Sequence, residues 1–237
     1  MFNIKKTIAV SFAATLALGC VAGAANAATT NGFANGGFEL APSAANPPGG
    51  AAFFADGWLA APTGNPALWS SVAHTGAHSA LLTVPSGLGG STLFQNSIDH
   101  GGLPALGAAN VGDTPMLTFW AKGDVSTTGN VLFALRYIDG VGNILSGNGG
   151  NHFFQNAINT STWSQISFQG AAIPVGTKAM FLEINTAVGP LLDGRSNAVY
   201  IDDINLGLAA AVPEASTYAM LLVGLAGLGF VARRRRV

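Results

Sequence analysis

Cysteine is almost absent from this sequence of 237 residues. The one cysteine, Cys20, lies in an apolar stretch near the N-terminus. Without further thiols, the chain beyond that stretch has no disulfide, no thiolate metal site and no cysteine nucleophile. We therefore expect the fold to be held by its hydrophobic core or by a bound ion.

Charged residues are scarce as well. Asp, Glu, Lys and Arg together make up 9% of the chain, whereas glycine alone occurs 32 times. Helical enzymes usually carry charged residues on the outer faces of their helices. This composition instead favours a β protein with many turns.

Basic residues are nearly missing from the middle of the chain. Residues 28–212 hold four basic residues against ten acidic ones, a net charge of −6. Phosphate backbones would find no basic face to pair with, so we expect no nucleic-acid partner. The four basic residues are Lys122, Arg136, Lys178 and Arg195.

Catalytic motifs are missing too. The four histidines form no His-Glu-x-x-His motif, and no nucleophile elbow or phosphate-binding glycine loop is present. Glycoside hydrolysis needs two carboxyl groups about 5–10 Å apart, and no motif nominates such a pair. We expect a protein without catalytic activity, with an uncharacterised glycoside hydrolase as the less favoured alternative.

The N-terminus has the three parts of a secretory signal. Lys5 and Lys6 precede an apolar stretch from about Ile8 to Val21, and Ala25-Asn26-Ala27 follows as a small-x-small site. This order predicts a signal peptide over residues 1–27, removed by signal peptidase. A membrane-spanning helix is disfavoured because the apolar part is short. Lipidation at Cys20 stays open.

The C-terminus also has three parts in order. Val212, Pro213 and Glu214 precede an uncharged stretch over residues 217–232, and Arg233, Arg234, Arg235 and Arg236 follow. The uncharged stretch is near the lower limit for spanning a bilayer, about 17 residues. Four arginines would stay on the cytoplasmic side of the inner membrane. The sequence thus predicts a transmembrane helix with the main domain outside.

These three parts resemble the PEP-CTERM sorting signal of Gram-negative bacteria, over residues 211–237. Position 215 is Ala where that family usually has Pro. The resemblance implies recognition and cleavage by a membrane-embedded exosortase, transient anchoring in the inner membrane, and a final place at the cell surface or outside the cell. It also implies a link to exopolysaccharide and biofilm. A plain C-terminal membrane anchor is the alternative.

Between the two signals, residues 28–210 predict one all-β domain. Short stretches of alternating or aromatic-rich sequence are separated by glycine- and proline-containing turns, and no ten-residue stretch has a convincing helical period. Seven or more such strands predict a two-sheet antiparallel β-sandwich of the jelly-roll type. The predicted strands are 78–84, 91–95, 116–122, 131–138, 163–169, 178–185 and 200–206.

Several short pieces in this domain resemble the galactose-binding-like jelly roll of carbohydrate-binding module families. They run in order from Asn35-Gly36-Gly37-Phe38-Glu39 through Asp56-Gly57-Trp58 and the Phe119-Trp120-Ala121-Lys122 strand to Tyr200-Ile201-Asp202-Asp203-Ile204. The resemblance covers about residues 31–208 and implies the fold. Flat aromatic side chains with amides beside them suit a sugar, which makes Trp58, Trp69, Tyr137, Asn148 and Asn151 candidates. For Trp58 and Trp69 a core position is the favoured alternative, and Trp120 and Trp163 are expected to fill the core.

Asp202 is unusual in the last predicted strand. In a regular strand it would share a largely apolar face with Tyr200, Ile204 and Leu206, where an unpaired carboxylate is costly. A bound Ca²⁺ would resolve this, because calcium takes carboxylate and carbonyl oxygens. The alternative is that Asp202 caps local backbone groups or faces solvent.

The carbohydrate-binding resemblance extends this calcium hypothesis. Such families often hold a structural calcium between a Glu of the first strand, carbonyls of an early loop and an Asp of the last strand. On this sequence these positions are Glu39, the loop around Gly76 and His78, and Asp202.

Two functions compete for the exported domain. The first is a matrix-associated module that binds extracellular polysaccharide. The second is a structural or adhesive surface protein without sugar specificity, which the low charge and the high content of small polar residues also fit. An exposed aromatic strip would favour the first, and a flat apolar patch without a groove the second.

Overall fold

The computed structural model describes residues 31–43, 45–46, 50–61, 64–85, 89–97, 106, 110–148, 150–188, 193–210, 221–225 and 228. The predicted signal peptide with Cys20 lies outside the described residues, as do Val212, Pro213, Glu214 and the four terminal arginines.

Thirteen strands form within the described residues. All seven predicted strands are present: five are two to six residues longer than predicted, and those predicted at 78–84 and 163–169 begin one residue later. In chain order they are β1 Ala52–Ala55, β2 Trp58–Ala60, β3 Asn65–Pro66, β4 Leu68–Ser70, β5 Ser79–Val84, β6 Gly89–Asn96, β7 Thr114–Asp124, β8 Gly129–Ile138, β9 Ile144–Leu145, β10 His152–Phe153, β11 Ser164–Gln169, β12 Ala179–Val188 and β13 Asn197–Ala209, with a 3₁₀ turn at Gln155–Ala157.

The strands form two sheets, which confirms the predicted sandwich. The larger sheet has eight strands in the order β1-β2-β6-β12-β8-β10, with β3 beside β6 and β9 beside β8. The smaller sheet has the order β11-β7-β13-β5-β4. Pairing is antiparallel except between β3 and β6, where Asn65 lies beside Ser91 in a parallel bridge.

The core lies between the sheets because residues alternate along each long strand. In β8, Val131, Phe133, Leu135 and Tyr137 are buried inward. In β7 the corresponding residues are Leu117, Phe119 and Ala121. The rings of Phe119 and Phe133 meet edge to face at 5.6 Å across the two sheets. Burial of each large side chain contributes about 1.5–3 kcal/mol to folding.

The first described residues are tied to the last strand. Gly32 N–H donates to the carbonyl of Leu206, and Ile204 N–H donates to the carbonyl of Gly36. A Cβ at Gly36 would lie 2.0 Å from the carbonyl oxygen of Ile204, so only glycine permits this approach. Both ends of the domain thus meet at β13.

Strand β13 contains a bulge that changes the faces predicted for its residues. Pairing with β7 shifts register between Asp202 and Asn205, and Asp203 has a φ of 49°. The extra residue puts Ile201 and Ile204 both into the core. Asp202 therefore lies with Tyr200 on the outer face of the five-stranded sheet, and the predicted face shared with Ile204 and Leu206 is wrong.

The tail is helical where it is described, at residues 221–225 and 228. Its large apolar side chains are more than half exposed. Within the described residues, no helix reaches the length and apolar character needed to cross a membrane.

Candidate functional site

Asp202 has no exposed surface and lies under the loop that precedes β5. Its Oδ2 accepts the main-chain N–H of His74 at 2.7 Å and that of Thr75 at 3.3 Å. Its Oδ1 accepts the N–H of Asp203 at 2.8 Å. Burial nevertheless raises the pKa of Asp202 from 3.8 to about 6, because loss of water outweighs these hydrogen bonds.

Glu39 holds the other half of the same loop. Its carboxylate accepts the N–H of Ala77 at 3.0 Å and the N–H of His78 at 2.9 Å. The His78 N–H is the main cause of the lowered pKa of Glu39. Gly76 lies between these contacts with a φ of 66°, and a Cβ there would lie 2.4 Å from Oε1 of Glu39. Glu39 and Asp202 therefore both fix residues 74–78.

Three acidic side chains converge beside Gly37. A methyl group at Gly37 would lie 3.7 Å from Oδ1 of Asp203, 3.9 Å from Cγ of Glu39 and 4.0 Å from Oδ1 of Asp202. Carboxylate oxygens are the ligands that calcium prefers, so the donor chemistry fits the predicted ion.

His78 contacts this cluster through its N–H and its ring. The N–H donates to Glu39 and the ring stacks on Trp69 at 4.0 Å, so its carbonyl oxygen stays a predicted ligand. Among the described residues, no group of three or more His, Cys, Asp or Glu side chains has the geometry of a metal site. The predicted set needs only two carboxylates with main-chain carbonyls, so the calcium site stays a prediction.

Two of the predicted sugar contacts lie in the core. Trp58 and Tyr137 have no exposed surface. The indole N–H of Trp58 donates to the carbonyls of Ala34 and Asn35, and the Tyr137 hydroxyl donates to the carbonyl of Ala171. Burial raises the pKa of Tyr137 to about 12. Both rings are core residues rather than ligand contacts.

The other three predicted contacts are scattered. Trp69 is 38% exposed in β4 of the five-stranded sheet. Asn148 is buried, and its Oδ1 accepts the N–H of Ala171 at 2.6 Å. Asn151 is exposed just before β10 in the eight-stranded sheet. The structure therefore does not bring the predicted sugar contacts together.

Trp120 and Trp163 are not core residues as predicted. Both are half-buried on the outer side of the five-stranded sheet. Trp120 stacks on His74 at 4.0 Å, and Lys122 lies 5.3 Å from the ring of Trp163. The Nδ1 of His74 lies 2.6 Å from Oδ2 of Asp203, which extends this cluster to the acidic loop.

The outer face of the eight-stranded sheet combines aromatic rings with polar groups. Register places Phe94 of β6 beside Glu183 of β12, and Phe181 of β12 beside Arg136 of β8. The two phenylalanine rings lie 5.7 Å apart and tilted by 40°. We call the surface formed by Thr92, Phe94, Leu132, Ala134, Arg136, Phe181, Glu183 and Asn185 the sheet-A face.

An ion pair lies in the middle of the sheet-A face. Nη1 of Arg136 donates to Oε2 of Glu183 at 2.7 Å, and the two side chains are 26% and 25% exposed. The guanidinium also lies 5.8 Å from the centre of the Phe181 ring, within the range of a cation–π contact. Planar aromatic and guanidinium groups are thus held at fixed positions beside one carboxylate.

Amide groups continue the sheet-A face along β12. Nδ2 of Asn185 donates to the hydroxyl of Thr92 at 2.7 Å. The Oδ1 atoms of Asn185 and Asn130 are buried and have no hydrogen-bond partner in the described part of the chain. A buried amide oxygen without a partner costs free energy.

None of these residues stood out in the sequence. Arg136 and Glu183 are 47 positions apart, and only strand register makes them neighbours. One signal existed: a charged residue interrupts the apolar run of each strand at these positions, which marks the outward face.

Comparison with known proteins gives a clear result at the C-terminus. Residues 211–236 match the PEP-CTERM protein-sorting motif. The chain carries a PEP-CTERM sorting motif. This confirms the resemblance drawn from Val212, Pro213, Glu214 and the arginine cluster. No curated protein has a sequence that matches the chain.

Similar solved structures include carbohydrate-binding modules. The CBM22-1 xylan-binding domain of Xyn10C from Paenibacillus barcinonensis is 14% identical, with a TM-score of 0.42 over 66% of this chain and 88% of that domain. TmCBM61, solved with beta-1,4-galactotriose, is 19% identical, with a TM-score of 0.42 over 75% of this chain and 98% of that one.

An enzyme domain is similar too. The enzymatically active domain of tailspike protein 4 of bacteriophage CBA120 is 16% identical, with a TM-score of 0.49, over 75% of this chain. This chain spans only 21% of the length of that domain. At such identities and TM-scores, these likenesses do not indicate which ligand this chain binds.

Proposed function

We propose that this chain is an exported, non-catalytic surface protein whose β-sandwich binds extracellular polysaccharide through the sheet-A face. The observation that supports this most is the Arg136–Glu183 ion pair set beside the tilted rings of Phe94 and Phe181. Aromatic rings take the apolar C–H face of a sugar, while the ion pair and amides take its hydroxyls.

The sheet-A face offers donors and acceptors in a planar arrangement. Arg136 has donors in a fixed fork, and Glu183, with Asn185 beside it, supplies acceptor oxygens. The apolar side chains of Leu132 and Ala134 lie on the same side of the sheet beside these polar groups, and both are buried. A polymer of sugar rings can lie along such a surface without displacing any strand.

The handling of the protein follows from its two ends. The sorting motif indicates a secreted protein that is anchored in a membrane before it is processed. We propose that an exosortase carries out this processing. The exposed apolar residues of the tail, among them Leu221, Leu222 and Val223, fit a segment placed in lipid. We propose that signal peptidase removes residues 1–27, and that the protein reaches the surface of a Gram-negative cell and its exopolysaccharide or biofilm.

We also propose a structural calcium between the carboxylates of Glu39 and Asp202 and main-chain carbonyls of the loop around Gly76 and His78. Asp202 is buried and ionisable, and its described contacts are N–H groups rather than a cationic side chain. A divalent cation would compensate this charge and clip the first residues of the domain to β13. Thermal unfolding of the full-length chain with calcium and with a chelator tests it, because a melting temperature that is the same in both contradicts the site.

The experiment for polysaccharide binding uses the full-length chain in an uncharged detergent. Co-sedimentation with insoluble xylan and with the exopolysaccharide of the producing organism measures retention. We expect Arg136→Ala to weaken retention at least tenfold and Arg136→Lys to weaken it less, because lysine keeps the charge without the planar fork.

Lys178→Ala is the matched control, since Lys178 is an exposed cation outside the sheet-A face. It should be retained like the wild type. If the folded Arg136→Ala variant is retained as strongly as the wild type on every polymer tested, the proposed site is contradicted. Failure of the wild type to bind any polymer would contradict the proposed function.

A structural or adhesive role is the second candidate, favoured by apolar residues near one edge of the larger sheet. Val141, Ile144 and Phe153 are 84%, 64% and 58% exposed. Exposed apolar side chains beside short edge strands invite association between copies. Analytical ultracentrifugation of wild-type chain and Ile144→Lys distinguishes this role, which predicts oligomers that the variant abolishes.

A further inference from the structure

A cavity lies at one end of the sandwich, separate from the acidic cluster around Gly37 and from the Arg136–Glu183 ion pair. It is formed where β7 ends at Asp124 and turns into β8, opposite the 3₁₀ turn at Gln155–Ala157 and the segment that follows it. Arg195, just before β13, closes one side. Its volume is about 650 Å³, within the usual range of small-molecule sites.

Hydrogen bonds fix the walls of this cavity. The carboxylate of Asp193 accepts the hydroxyl of Ser126 at 2.6 Å and the N–H of Thr127 at 2.7 Å. These contacts hold the pKa of Asp193 well below its usual range, the Ser126 hydroxyl being the main cause. On the facing side, the N–H of Gly123 donates to the carbonyl of Asn159 at 2.9 Å. The turn and the facing loop are therefore held in place before any ligand enters.

The lining is polar and carries both signs of charge. Arg195 donates to Asp124, forming a neutral pair at the surface. Gln155, Asn156 and Thr160 add amide and hydroxyl groups. A cavity lined by paired donors and acceptors, with few apolar side chains, suits a ligand that is itself rich in hydroxyls.

Charge and shape exclude other ligand classes. The carboxylate of Asp124 already pairs with the guanidinium of Arg195 and would repel a free phosphate or carboxylate, so an anion would gain little binding free energy here. An apolar ligand would have to cover the polar groups, since only Val125 and Ile158 are apolar side chains among the described lining residues. No aromatic ring is among those lining residues, so the cavity does not stack the flat face of a chain.

We propose that this cavity is a second saccharide site, which takes a single sugar unit at a chain end or branch by hydrogen bonds. The proposal rests on the proposed polysaccharide function and extends it to a second position on the same domain. Gly129 lines the cavity and Arg136 lies seven residues further along β8. At about 3.3 Å per residue, Gly129 and Arg136 are about 23 Å apart, and the sheet-A face begins between them, so one polymer chain can reach both the cavity and the ion pair.

Occupation of both sites raises affinity for a polymer above that for its single units. A monosaccharide is too short to contact both the cavity and the Arg136–Glu183 ion pair, so it reports on each of them separately. Mutation of one site should therefore leave monosaccharide binding at the other unchanged, and should weaken polymer binding in either case.

The test follows backbone amide shifts of the full-length chain, ¹⁵N-labelled in detergent micelles. The probes are the methyl glycosides of glucose, galactose, mannose and xylose at millimolar concentration. At least one is expected to shift the amides of Thr127, Gly129 and Asn156. Arg195→Ala and Asn156→Ala should each weaken that binding at least tenfold, while Arg136→Ala and Lys178→Ala should leave it unchanged.

The outcomes separate the two proposals. Shifts at the cavity that Arg195→Ala abolishes support the second site, even if no polymer is retained and the polysaccharide function fails. Shifts confined to β6, β8 and β12, with none at the cavity, overturn the second site and keep the first. No shift with any of the four glycosides overturns the second site as well. Because the Arg195–Asp124 pair is exposed, its loss should change stability little, and Asn156→Ala provides an independent variant.

Discussion

Ionisation of Asp202 is expected to destabilise the folded chain in the absence of a bound cation. Burial raises the pKa of Asp202 from 3.8 to about 6 in the folded state. The folded protein therefore binds a proton more tightly than the unfolded chain does. Stability from this group is greatest below about pH 4 and is lost as the pH rises through 6.

The size of this effect follows from the two pKa values. Each tenfold change in proton affinity corresponds to about 1.4 kcal/mol. Raising the pKa from 3.8 to about 6 thus makes the Asp202 contribution to the free energy of unfolding about 2–3 kcal/mol larger at pH 4 than at pH 7.

Other acidic groups act in the opposite direction, so the wild type alone is not informative. Glu39, Asp139 and Asp193 have lowered pKa values and lose stability as the pH falls. The informative quantity is the free energy of unfolding of the wild type minus that of Asp202→Asn, which removes the titrating group and leaves the others. Urea denaturation of the full-length chain in uncharged detergent, with chelator, measures it between pH 4 and pH 7.

We expect this difference to be about 2–3 kcal/mol larger at pH 4 than at pH 7. Asp139→Asn is the matched control. The side chain of Asn143 lowers the pKa of Asp139, so the wild type minus Asp139→Asn difference in unfolding free energy should be larger at pH 7 than at pH 4. A difference for Asp202→Asn that does not change between pH 4 and pH 7 would show that the pKa of Asp202 is not raised in the folded state. With calcium present, the proposed ion should reverse the slope, because it stabilises the ionised carboxylate only.

Three shorter predictions concern the fold and the tail. Gly76→Ala should cost about 2 kcal/mol more than Gly194→Ala in denaturant titration, because both glycines have a positive φ but only Gly76 is crowded by Glu39. Gln95→Leu should cost about 2–3 kcal/mol, because the N–H of Ala34 and the carbonyl of Gly57 would lose the buried amide as their partner, while the Ala34 carbonyl keeps the Trp58 indole. Replacing Arg233 to Arg236 by alanine should release the chain from the inner membrane, as measured by cell fractionation.

Much of the fold was predictable because the long strands carry apolar residues at every second position, although β8 is apolar on both faces as far as Leu135. In β7, β8 and β12, apolar residues at every second position face the core, and a period of two sets both the strand and its buried side. The outward position of Trp120 also followed from this period, since Thr118 and Lys122 share its face. Aromatic content had instead suggested a core position.

The bulge in β13 was not predictable from the same pattern. It inserts one residue at Asp203, which is not a glycine, and its φ of 49° depends on contacts made far away in sequence. The N–H groups of His74 and Thr75, about 128 residues earlier, hold the carboxylate of Asp202. Alternation therefore assigned Asp202 to the wrong face, although it marked the residue as unusual.

The sheet-A face depends on register rather than on local sequence. Phe94, Arg136 and Phe181 come from three strands that are adjacent only in the folded sheet. Phenylalanine is also the aromatic residue least expected to contact solvent. The sequence therefore nominated tryptophan and tyrosine residues as sugar contacts, and two of these, Trp58 and Tyr137, lie in the core.

Binding of polysaccharide by the sheet-A face depends on the rings of Phe94 and Phe181. The most direct measurement is the affinity of the full-length chain for the exopolysaccharide of its own organism, compared between the double variant Phe94→Ala/Phe181→Ala and Trp163→Ala on the opposite sheet. We expect at least a hundredfold loss for the double variant, if each ring contributes about 1.4 kcal/mol or more, and wild-type affinity for Trp163→Ala. The reverse pattern, with binding lost in Trp163→Ala and kept in the folded double variant, would contradict binding by the sheet-A face.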